Sequence, residues 1–383
     1  MSLRMLNKEE LIRYNRQIIL PDFGIEGQEK LKSSSVLVIG AGGLGIPNLS
    51  YLAAAGVGRI GLVEFDEISL SNLQRQVMYK TNQAGESKGK SAVNVIQELN
   101  PNVLVDYFET RLDAENALEI IGDFDLVVDG SDNLPTRYLV NDACVLLGKP
   151  LVYAAVFRYE GQVSVFNALR KDGSRGPNYR DLFPTPPPPE MVPSCNEGGV
   201  FGALTGIIGA MQANEAIKLL AGLGIRLDGR LFLFDSQYFT ARFLNVKSNP
   251  DNPVSGDHPT ITQLIDYEAF CGLSEVENEA DEITVQELYQ MIKSGKTPFI
   301  LDVREPYEYA ISNLNGLNIP LFELGLELER LSQNETIVIH CKSGQRSQKA
   351  LEFLKKEGFS KLKNLKGGIL AWQKEIDHSM EIY

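Results

Sequence analysis

The chain has 383 residues, of which 43% are hydrophobic and 23% charged, and this is enough to form two globular domains with buried cores. Its formal net charge of -13 disfavours binding to a nucleic-acid backbone. No apolar run reaches the roughly 18 to 20 residues that span a bilayer, and the polar N-terminus lacks a secretory apolar segment. We therefore expect a cytoplasmic protein with neither a nucleic-acid nor a membrane partner.

Strand and helix patterns alternate in two stretches of the chain. Over residues 1–248, β-branched strands alternate with helices, as in a doubly wound α/β domain. Residues 249–282 are polar and then acidic, with few large apolar side chains, and are predicted to be a linker. Over residues 283–383 the pattern returns, with TVQELYQMIKSG and SQKALEFLKKEG as helices and FILDV and TIVIHC as strands. The sequence thus predicts an α/β fold in two domains.

A glycine-rich turn lies between the first predicted strand, Val36–Ile39, and an Ala- and Leu-rich helix. In this turn, VIGAGGLG, glycines such as Gly43 let backbone amides at the helix N-terminus approach an anionic group. Glu64 follows the next strand, where a nucleotide-binding unit usually places a carboxylate for the ribose hydroxyls. The pattern predicts a Rossmann-like nucleotide-binding domain and leaves NAD, FAD and ATP open. Glycines used only for tight helix and strand packing are the alternative.

Polar residues that suit a triphosphate follow the second strand and the strand DLVVD. They are Ser71, Asn72, Arg75, Lys88, Asp132 and Asn133. Cations beside a carboxylate able to bind magnesium suit attack at an α-phosphorus, where catalysis is mainly positioning and charge neutralisation. A hydride-transferring enzyme has no need of them. Any one of these charges, taken singly, could be a solvated surface residue.

The chain has four cysteines and no CxxC pair. Cys195 follows FPTPPPPEMVPS, which is too rich in proline for a helix or a central strand and is predicted to be an extended or mobile crossover loop. Cys144 lies in an apolar helical pattern and is expected in the core. Cys271, in the predicted linker, is expected to be structural or incidental. A disulfide framework is not expected in such a chain.

The fourth cysteine, Cys341, begins a short loop between a strand ending at His340 and a helix beginning near Ser347. We expect the amides of this loop to point inward and to form a cradle for an anion on the thiolate. The residues expected to surround the sulfur with donors are Lys342, Gly344, Gln345, Arg346 and Ser347. Arg346 and the helix N-terminus would stabilise the thiolate and the terminal sulfur of a persulfide.

Motifs along nearly the whole chain resemble one known superfamily. RYNRQI, GAGGLG, SNLQRQ, SDN, PTRYLVNDAC, EGQVSVF and SCNEGGVFG are similar to the MoeB and ThiF branch of the ubiquitin-activating superfamily. DYEAFCG and CKSGQRS resemble the fused adenylyltransferase and sulfurtransferase proteins that carry a C-terminal rhodanese domain. The resemblance implies a Rossmann-like adenylating domain followed by a smaller α/β rhodanese-like domain.

Proteins of this kind adenylate the C-terminal glycine of a small ubiquitin-like sulfur carrier protein ending in GlyGly, and then help to convert the acyl-adenylate to a thiocarboxylate. The resemblance implies that ATP is contacted by Gly43, Glu64, Ser71, Asn72, Arg75, Lys88, Asp132 and Asn133. Asp132 would hold Mg²⁺, and Arg75 and Lys88 would neutralise the phosphates. Cys341 would carry sulfur from a donor such as a cysteine desulfurase, or from thiosulfate.

Two further roles follow from the resemblance. Arg16 resembles an arginine that reaches the phosphates from the other subunit, which implies a homodimer; the alternative is a salt bridge on an N-terminal helix. Cys195 resembles a nucleophile that links covalently to the carrier, by thioester or persulfide; the alternative is a dispensable thiol on a mobile loop. Asp302, Arg304 and Glu305 are expected to support the sulfur loop.

The chain departs from many relatives at their zinc site, which consists of two CxxC pairs. The first location has Asn178 and Asp181, and the second has Asn252 and Ser255. Asparagine and serine are poor zinc ligands, so we expect no zinc. We also expect the proline-rich loop and the linker to be more mobile than in zinc-binding relatives.

Other functions stay open from the sequence. The second domain could be a docking module for an enzyme that only adenylates, or the glycine turn could belong to a nicotinamide- or flavin-dependent oxidoreductase. The sequence also leaves the pathway open, because molybdenum cofactor, thiamine, thiolated tRNA and sulfur amino-acid synthesis all use such carriers.

Overall fold

The computed structural model describes residues 5–187, 198–272 and 281–381. The chain divides into two compact units, Met1–Ser274 and Glu275–Tyr383. Within the described ranges, no helix is both long enough and apolar enough to cross a membrane.

The first unit has strands and helices in alternation, as the sequence predicts. Its strands are β1 (Ser35–Ile39), β2 (Arg59–Val63), β3 (Leu104–Phe108), β4 (Leu126–Asp129), β5 (Leu151–Phe157), β6 (Glu160–Phe166), β7 (Arg230–Asp235) and β8 (Thr240–Asn245). Its α-helices are α1 (Lys8–Arg13), α2 (Asn15–Ile18), α3 (Gly24–Ser33), α4 (Gly45–Ala55), α5 (Lys88–Leu99), α6 (Ala117–Gly122), α7 (Leu134–Leu146), α8 (Tyr179–Leu182), α9 (Gly202–Ala221) and α10 (Tyr267–Phe270). Short 3-10 helices cover Leu70–Asn72 and Thr81–Gln83.

One eight-stranded sheet forms the centre of this unit, in the order β3-β2-β1-β4-β5-β6-β7-β8. The strands from β3 to β5 are parallel, and β6, β7 and β8 continue the sheet antiparallel. Every residue of β1 and β4 is buried, because helices cover both faces of a parallel sheet. The carboxyl ends of β2, β1 and β4 are therefore neighbours at one edge, where open α/β sheets bind ligands. The expected Rossmann-like fold is confirmed.

A buried amide joins the elements at this edge. Gln212, on α9, is fully buried, and its side-chain nitrogen donates to the carbonyl oxygens of Asp129 at the end of β4 (2.6 Å) and Val152 in β5 (2.9 Å). Its oxygen accepts a hydrogen bond from the side chain of Asn48 on α4 (2.7 Å). Since α4 directly follows the glycine turn, Gln212 sets the separation between that turn and the end of β4.

The predicted linker differs from the structure over most of its length. Residues 249–272 belong to the first unit, and Asn252, Tyr267 and Cys271 are buried in it. The reason is that the polar side chains that suggested a linker are bonded within the unit. Asn252 donates to Asp181 (2.7 Å), and Asp181 also accepts from the amide of Asn249 (2.8 Å).

The positions that correspond to the zinc ligands of relatives form a hydrogen-bonded cluster. Besides the Asn252 to Asp181 bond, the side chain of Asn178 donates to Ser255 (2.7 Å), and its backbone amide donates to Asp181 (2.7 Å). Asn178 and Asn252 are both buried. These contacts hold residues 249–255 against α8.

A buried ion pair anchors the other end of this segment. Arg180 and Asp142 are fully buried and make two hydrogen bonds, of 2.8 and 2.7 Å. The hydroxyl of Tyr267 donates to the same carboxylate (2.8 Å). The guanidinium also lies over the rings of Tyr138 and Phe270, 4.8 and 4.6 Å from their centres. One charged pair thus ties together α7, α8 and α10.

The second unit contains a parallel five-stranded sheet. Its strands are β9 (Glu282–Ile283), β10 (Phe299–Asp302), β11 (Leu317–Asn318), β12 (Ile337–His340) and β13 (Leu362–Leu365), in the order β11-β10-β12-β13-β9. Its α-helices are α11 (Val285–Lys293), α12 (Pro306–Ile311), α13 (Gln345–Lys356) and α14 (Gly368–Glu375), with 3-10 helices at Leu324–Leu326 and Leu328–Arg330. The central strand β12 is wholly buried, and Cys341 comes directly after its carboxyl end. The predicted helices and strands of this domain are confirmed.

Replacing Arg180 by methionine (Arg180→Met) is expected to lower the free energy of unfolding of the first unit by about 3 to 5 kcal/mol, because the Asp142 carboxylate is then buried without its cation. Scanning calorimetry of the full chain measures the loss. Arg170→Met is the matched control, since Arg170 makes a similar pair with Asp228 but is 37% exposed, and about 1 kcal/mol or less is expected. Equal losses in the two variants would contradict the assignment.

Candidate functional site

The glycine turn brings the ends of β1, β2 and β4 into direct contact. The amide of Gly40 donates to Val63 (2.9 Å), and the amide of Gly130 donates to Ile39 (2.9 Å). A Cβ atom on Gly45 would lie 1.9 Å from the carbonyl oxygen of Gly40, so only glycine allows this approach. Gly42 and Gly43, just before α4, are partly exposed, so an anionic group can approach this part of the turn.

Glu64 braces the turn from the end of β2. Its carboxylate is nearly buried and accepts hydrogen bonds from the backbone amides of Ala41 (2.8 Å), Phe65 (2.9 Å) and Asp66 (2.8 Å). A carboxylate offers about four acceptor positions, so three such bonds leave room for one more donor. Glu64, the carboxylate predicted to contact the ribose, therefore lies beside the turn and also holds the turn in its shape.

Ser71, Asn72 and Arg75 lie together on a segment beside the turn. The Arg75 guanidinium donates to the carbonyl oxygen of Ser71 (3.2 Å) and to the side-chain oxygen of Asn72 (3.2 Å). The hydroxyl of Tyr79 donates to the carbonyl oxygen of Ala41 (2.9 Å), which fixes this segment against the glycine turn. Arg75 is thus held by neutral acceptors, and its charge is not compensated by any carboxylate that contacts it in the described part of the chain.

Lys88 and Asp132 approach the same edge from two other elements. Lys88 begins α5, is almost fully buried, and pairs with Asp66 (2.9 Å), whose amide is held by Glu64. Asn133 caps α7 by accepting from the amide of Thr136 (3.0 Å). Asp132 is exposed and has no hydrogen bond or ion pair to any described residue, so its oxygens are free to coordinate a cation.

Two buried polar side chains also lie beside the turn, and the sequence places both of them at or after the ends of strands. The side-chain oxygen of Gln76 is buried without a partner in the described part of the chain, next to Gly42. Burial raises the pKa of Asp129, which lies at the end of β4. With the turn amides, two cations and a free carboxylate, the residues present fit a nucleotide triphosphate with Mg²⁺.

The structure does not bring Arg16 to this edge. Arg16 is exposed on α2, and its neighbour Gln17 contacts Ala55 at the C-terminal end of α4 (3.4 Å). The glycine turn lies at the opposite end of this 11-residue helix, which is about 15 Å long. Within one chain, Arg16 is therefore remote from the other predicted nucleotide ligands.

The first unit contains three cysteines, Cys144, Cys195 and Cys271. Cys195 lies outside the described residues. Cys144 is fully buried and burial raises its pKa, which confirms it as a core residue. Burial also raises the pKa of Cys271, to about 11, so neither of these thiols is poised for reaction.

Cys341 lies at the base of the sulfur loop of the second unit. Its sulfur accepts a hydrogen bond from the amide of Gly344 (3.2 Å) and lies 3.4 Å from the hydroxyl of Ser347. Gly344 has φ of +99°, a left-handed conformation that favours glycine and turns its amide inward. The side chain of Gln345 is exposed. Two of the expected donors, Gly344 and Ser347, thus contact the sulfur directly.

Glu308 holds the guanidinium of Arg346 beside the loop. The two form a bidentate ion pair with distances of 2.5 and 2.7 Å, and Glu308 is only 2% exposed. Glu308 was not predicted as a site residue, although it lies within the motif ILDVREPYEY. Lys342 is half-buried, and burial lowers its pKa.

A buried charge cluster lies directly beneath the loop. Arg304 makes a bidentate pair with Asp302 (2.6 and 2.9 Å) and also donates to the carbonyl oxygen of Ser312 (2.7 Å), which fixes α12 to β10. His340 lies 3.5 Å from Asp302, and burial lowers its pKa to about 4, so the imidazole is neutral near pH 7. Of the three residues expected to support the sulfur loop, Asp302 and Arg304 belong to this buried cluster.

Comparison with solved structures supports the fold of the larger part of the chain. A crystal structure of E. coli MccB with ATP aligns with a TM-score of 0.55 and 22% identity, covering 66% of this chain and 75% of that one. A structure of PaaA aligns with a TM-score of 0.54 and 25% identity, covering 64% and 76%. At the identity of MccB, the likeness concerns the fold alone.

Two relatives match nearly the whole chain, and a third matches 70% of it. A probable adenylyltransferase/sulfurtransferase MoeZ of Mycobacterium tuberculosis is 46% identical over 99% of this chain and 96% of its own length. An adenylyltransferase and sulfurtransferase MOCS3 of Drosophila grimshawi is 44% identical over 99% of this chain and 87% of its own. A sulfur carrier protein adenylyltransferase of Thermus thermophilus is 58% identical over 70% of this chain and 98% of its own.

Family models match both parts of the chain. The ThiF family matches residues 14–254, and the rhodanese-like domain matches residues 284–375. The first match covers more than half of the chain and contains the glycine turn and Asp132, and the second contains Cys341. The chain belongs to the ThiF family and is an adenylyltransferase and sulfurtransferase with a C-terminal rhodanese-like domain.

Proposed function

We propose that the chain adenylates the C-terminal glycine of a ubiquitin-like sulfur carrier protein ending in GlyGly, and that a persulfide on Cys341 then supplies the sulfur of a thiocarboxylate. The proposal rests on two features that occur in one chain. The carboxyl edge of the first sheet fits MgATP, and the second unit has a buried cysteine whose sulfur accepts hydrogen bonds. The Thermus relative is named as acting on a sulfur carrier protein, which supports a carrier as the acceptor.

In the first step, a carboxylate oxygen of the carrier glycine attacks the α-phosphorus of ATP, and pyrophosphate leaves. The turn amides near Gly43 and the side chains of Arg75 and Lys88 would neutralise the phosphates. Glu64 would accept from the ribose, with the polar side chains of Ser71, Asn72 and Asn133 close by. Asp132 would hold Mg²⁺, which supplies further charge neutralisation.

In the second step, the terminal sulfur of the Cys341 persulfide attacks the acyl carbon, and AMP leaves. This forms an acyl disulfide, in which the carbonyl carbon is bonded to the transferred sulfur. A second thiol must then attack the sulfur of Cys341, so that the thiocarboxylate leaves and a disulfide remains. Cys195 is one candidate for that thiol, and an external thiol is the other.

Cys341→Ser is expected to leave ATP–pyrophosphate exchange with the carrier unchanged and to abolish thiocarboxylate formation, because only the sulfur step uses this thiol. Intact mass spectrometry of the carrier, after incubation with ATP and a sulfur source, measures the exchange of one oxygen for sulfur. Cys271→Ala is the control and should retain both reactions. Thiocarboxylate made by Cys341→Ser would favour a docking role for the second domain, and no mass change with any carrier would exclude the function.

We also infer that the active form is a homodimer in which Arg16 of the partner subunit completes the nucleotide site. The support is the position of Arg16 at the far end of α4 and the apolar surface around it. Ile12, Ile19 and Leu20 are 69%, 59% and 53% exposed on this part of the chain. Exposed apolar side chains grouped on one short segment are typical of surfaces that other protein chains cover.

A mixing experiment tests the trans arrangement. Arg16→Ala and Asp132→Ala are each expected to be nearly inactive in pyrophosphate exchange, and an equimolar mixture that has exchanged subunits should regain about a quarter of the wild-type activity. Half of its dimers are mixed, and each mixed dimer has one intact site. The control mixture of Asp132→Ala with Lys88→Ala should regain nothing, because every site then lacks one residue. An active Arg16→Ala variant would refute the role of Arg16.

Gln212→Glu is expected to weaken binding of a magnesium complex of α,β-methylene-ATP about tenfold, because it disturbs the distance between the glycine turn and Asp132. Titration calorimetry measures the dissociation constant. Asn167→Asp is the matched control: its buried side-chain nitrogen also donates to two carbonyl oxygens, of Cys144 (2.9 Å) and Lys149 (2.8 Å), at the opposite edge of the sheet. Equal weakening in both variants would show a general loss of structure instead.

A further inference from the structure

The ion pair between Arg346 and Glu308 changes the charge that the sulfur loop presents. Glu308 belongs to α12, and both of its oxygens accept from the guanidinium, with the amide of Glu305 as a third donor (2.8 Å). Because the carboxylate is 2% exposed, water does not compete for these bonds. The arginine is therefore held beside the loop with its positive charge compensated.

The other charged groups near the loop do not restore an excess of positive charge. Burial raises the pKa of Glu305, with Glu308 adding to this rise and Glu323 contributing further. Burial lowers the pKa of Lys342, which Glu308 partly opposes. Among the described residues, the loop is thus surrounded by three cations, Lys342, Arg346 and the Asp302-paired Arg304, and by four carboxylates, Asp302, Glu305, Glu308 and Glu323.

Sulfur donors differ in the negative charge that they bring to the sulfur loop. Thiosulfate is a dianion: the Cys341 thiolate attacks its outer sulfur, the sulfur–sulfur bond breaks, and sulfite leaves with two negative charges. With a protonated persulfide, R–S–SH, the same attack breaks a neutral sulfur–sulfur bond, and the thiolate R–S⁻ leaves. A dianion needs uncompensated cations to enter a site of low dielectric, and a neutral persulfide does not.

We propose that Glu308 is a specificity-determining residue that directs Cys341 to persulfide donors and against dianionic thiosulfate, by holding Arg346 in the ion pair. The inference rests on the proposed function, in which Cys341 carries the transferred sulfur. It assigns the role to a carboxylate outside the loop, whereas the loop residues themselves supply the donors to the sulfur.

The test compares single-turnover loading of Cys341 in the full chain by two donors, thiosulfate and N-acetylcysteamine persulfide. Intact mass spectrometry follows the addition of one sulfur to the protein. Glu308→Gln is expected to raise the rate constant with thiosulfate about tenfold and to leave that with the persulfide within about twofold, because the freed guanidinium attracts only the dianion. Glu323→Gln is the matched control: it removes a carboxylate from the same surrounding and leaves the ion pair intact, so a smaller rise is expected.

Two further variants make the result specific. Adding Arg346→Gln to Glu308→Gln should return the thiosulfate rate to the wild-type value, because the freed cation is then absent. If Glu308→Gln does not fold, Glu308→Asp, which shortens the side chain and breaks the bidentate geometry, takes its place. Equal rises with thiosulfate in Glu308→Gln and Glu323→Gln, or no rise in either, would overturn the role of Glu308. No sulfur on wild-type Cys341 from either donor would instead overturn the proposed function.

Discussion

The hydrogen bonds of Gln212 are the interaction on which the nucleotide site depends. A buried polar group without a partner costs about 1 to 3 kcal/mol, so a fully buried glutamine favours the one arrangement that satisfies both of its ends. That arrangement holds α4 at a fixed distance from the ends of β4 and β5. The glycine turn and Asp132 lie on different segments, and neither segment alone determines their separation. The proposed ligands for phosphate and for magnesium are therefore placed by a side chain that needs to touch neither.

The parts of the site that could be predicted are those encoded in short segments. The glycine turn, Glu64 and Asp132 each follow a recognisable strand, and the parallel pairing of β1 with β2 and β4 brings them together. Gln212 is 164 residues from its partner Asn48, so no local pattern marks it. The linker prediction failed for the same reason, since the polar side chain of Asn252 is bonded to a residue 71 positions earlier. The polar side chains of this segment suggested exposure to solvent, but hydrogen bonds to residues distant in sequence allow them to be buried.

Arginine side chains of this chain have two kinds of partner, neutral oxygens or carboxylates, and this changes what each can bind. Arg75 is held by a carbonyl oxygen and an amide oxygen, which orient the guanidinium and leave its charge available. Arg180, Arg304 and Arg346 are each paired with a carboxylate, which orients the guanidinium and also cancels its charge. An arginine in a sequence motif therefore does not by itself indicate an anion site. Whether the arginine can bind an anion depends on the residue that accepts its hydrogen bonds.

The same distinction separates the two reactions that the chain is proposed to perform. Adenylation brings a triphosphate and releases pyrophosphate, so its site requires at least one cation whose charge is not already cancelled. Arg75 meets this requirement, whereas Lys88 is paired with Asp66. Sulfur transfer through Cys341 places at most a single negative charge on the sulfur. An uncompensated arginine beside that thiol would attract anions such as phosphates, sulfite and thiosulfate. Because Glu308 compensates the charge of Arg346, the loop attracts such anions less. The sulfur keeps its two donors, the amide of Gly344 and the hydroxyl of Ser347. The loop can then stabilise a single negative charge on sulfur without becoming a second phosphate site.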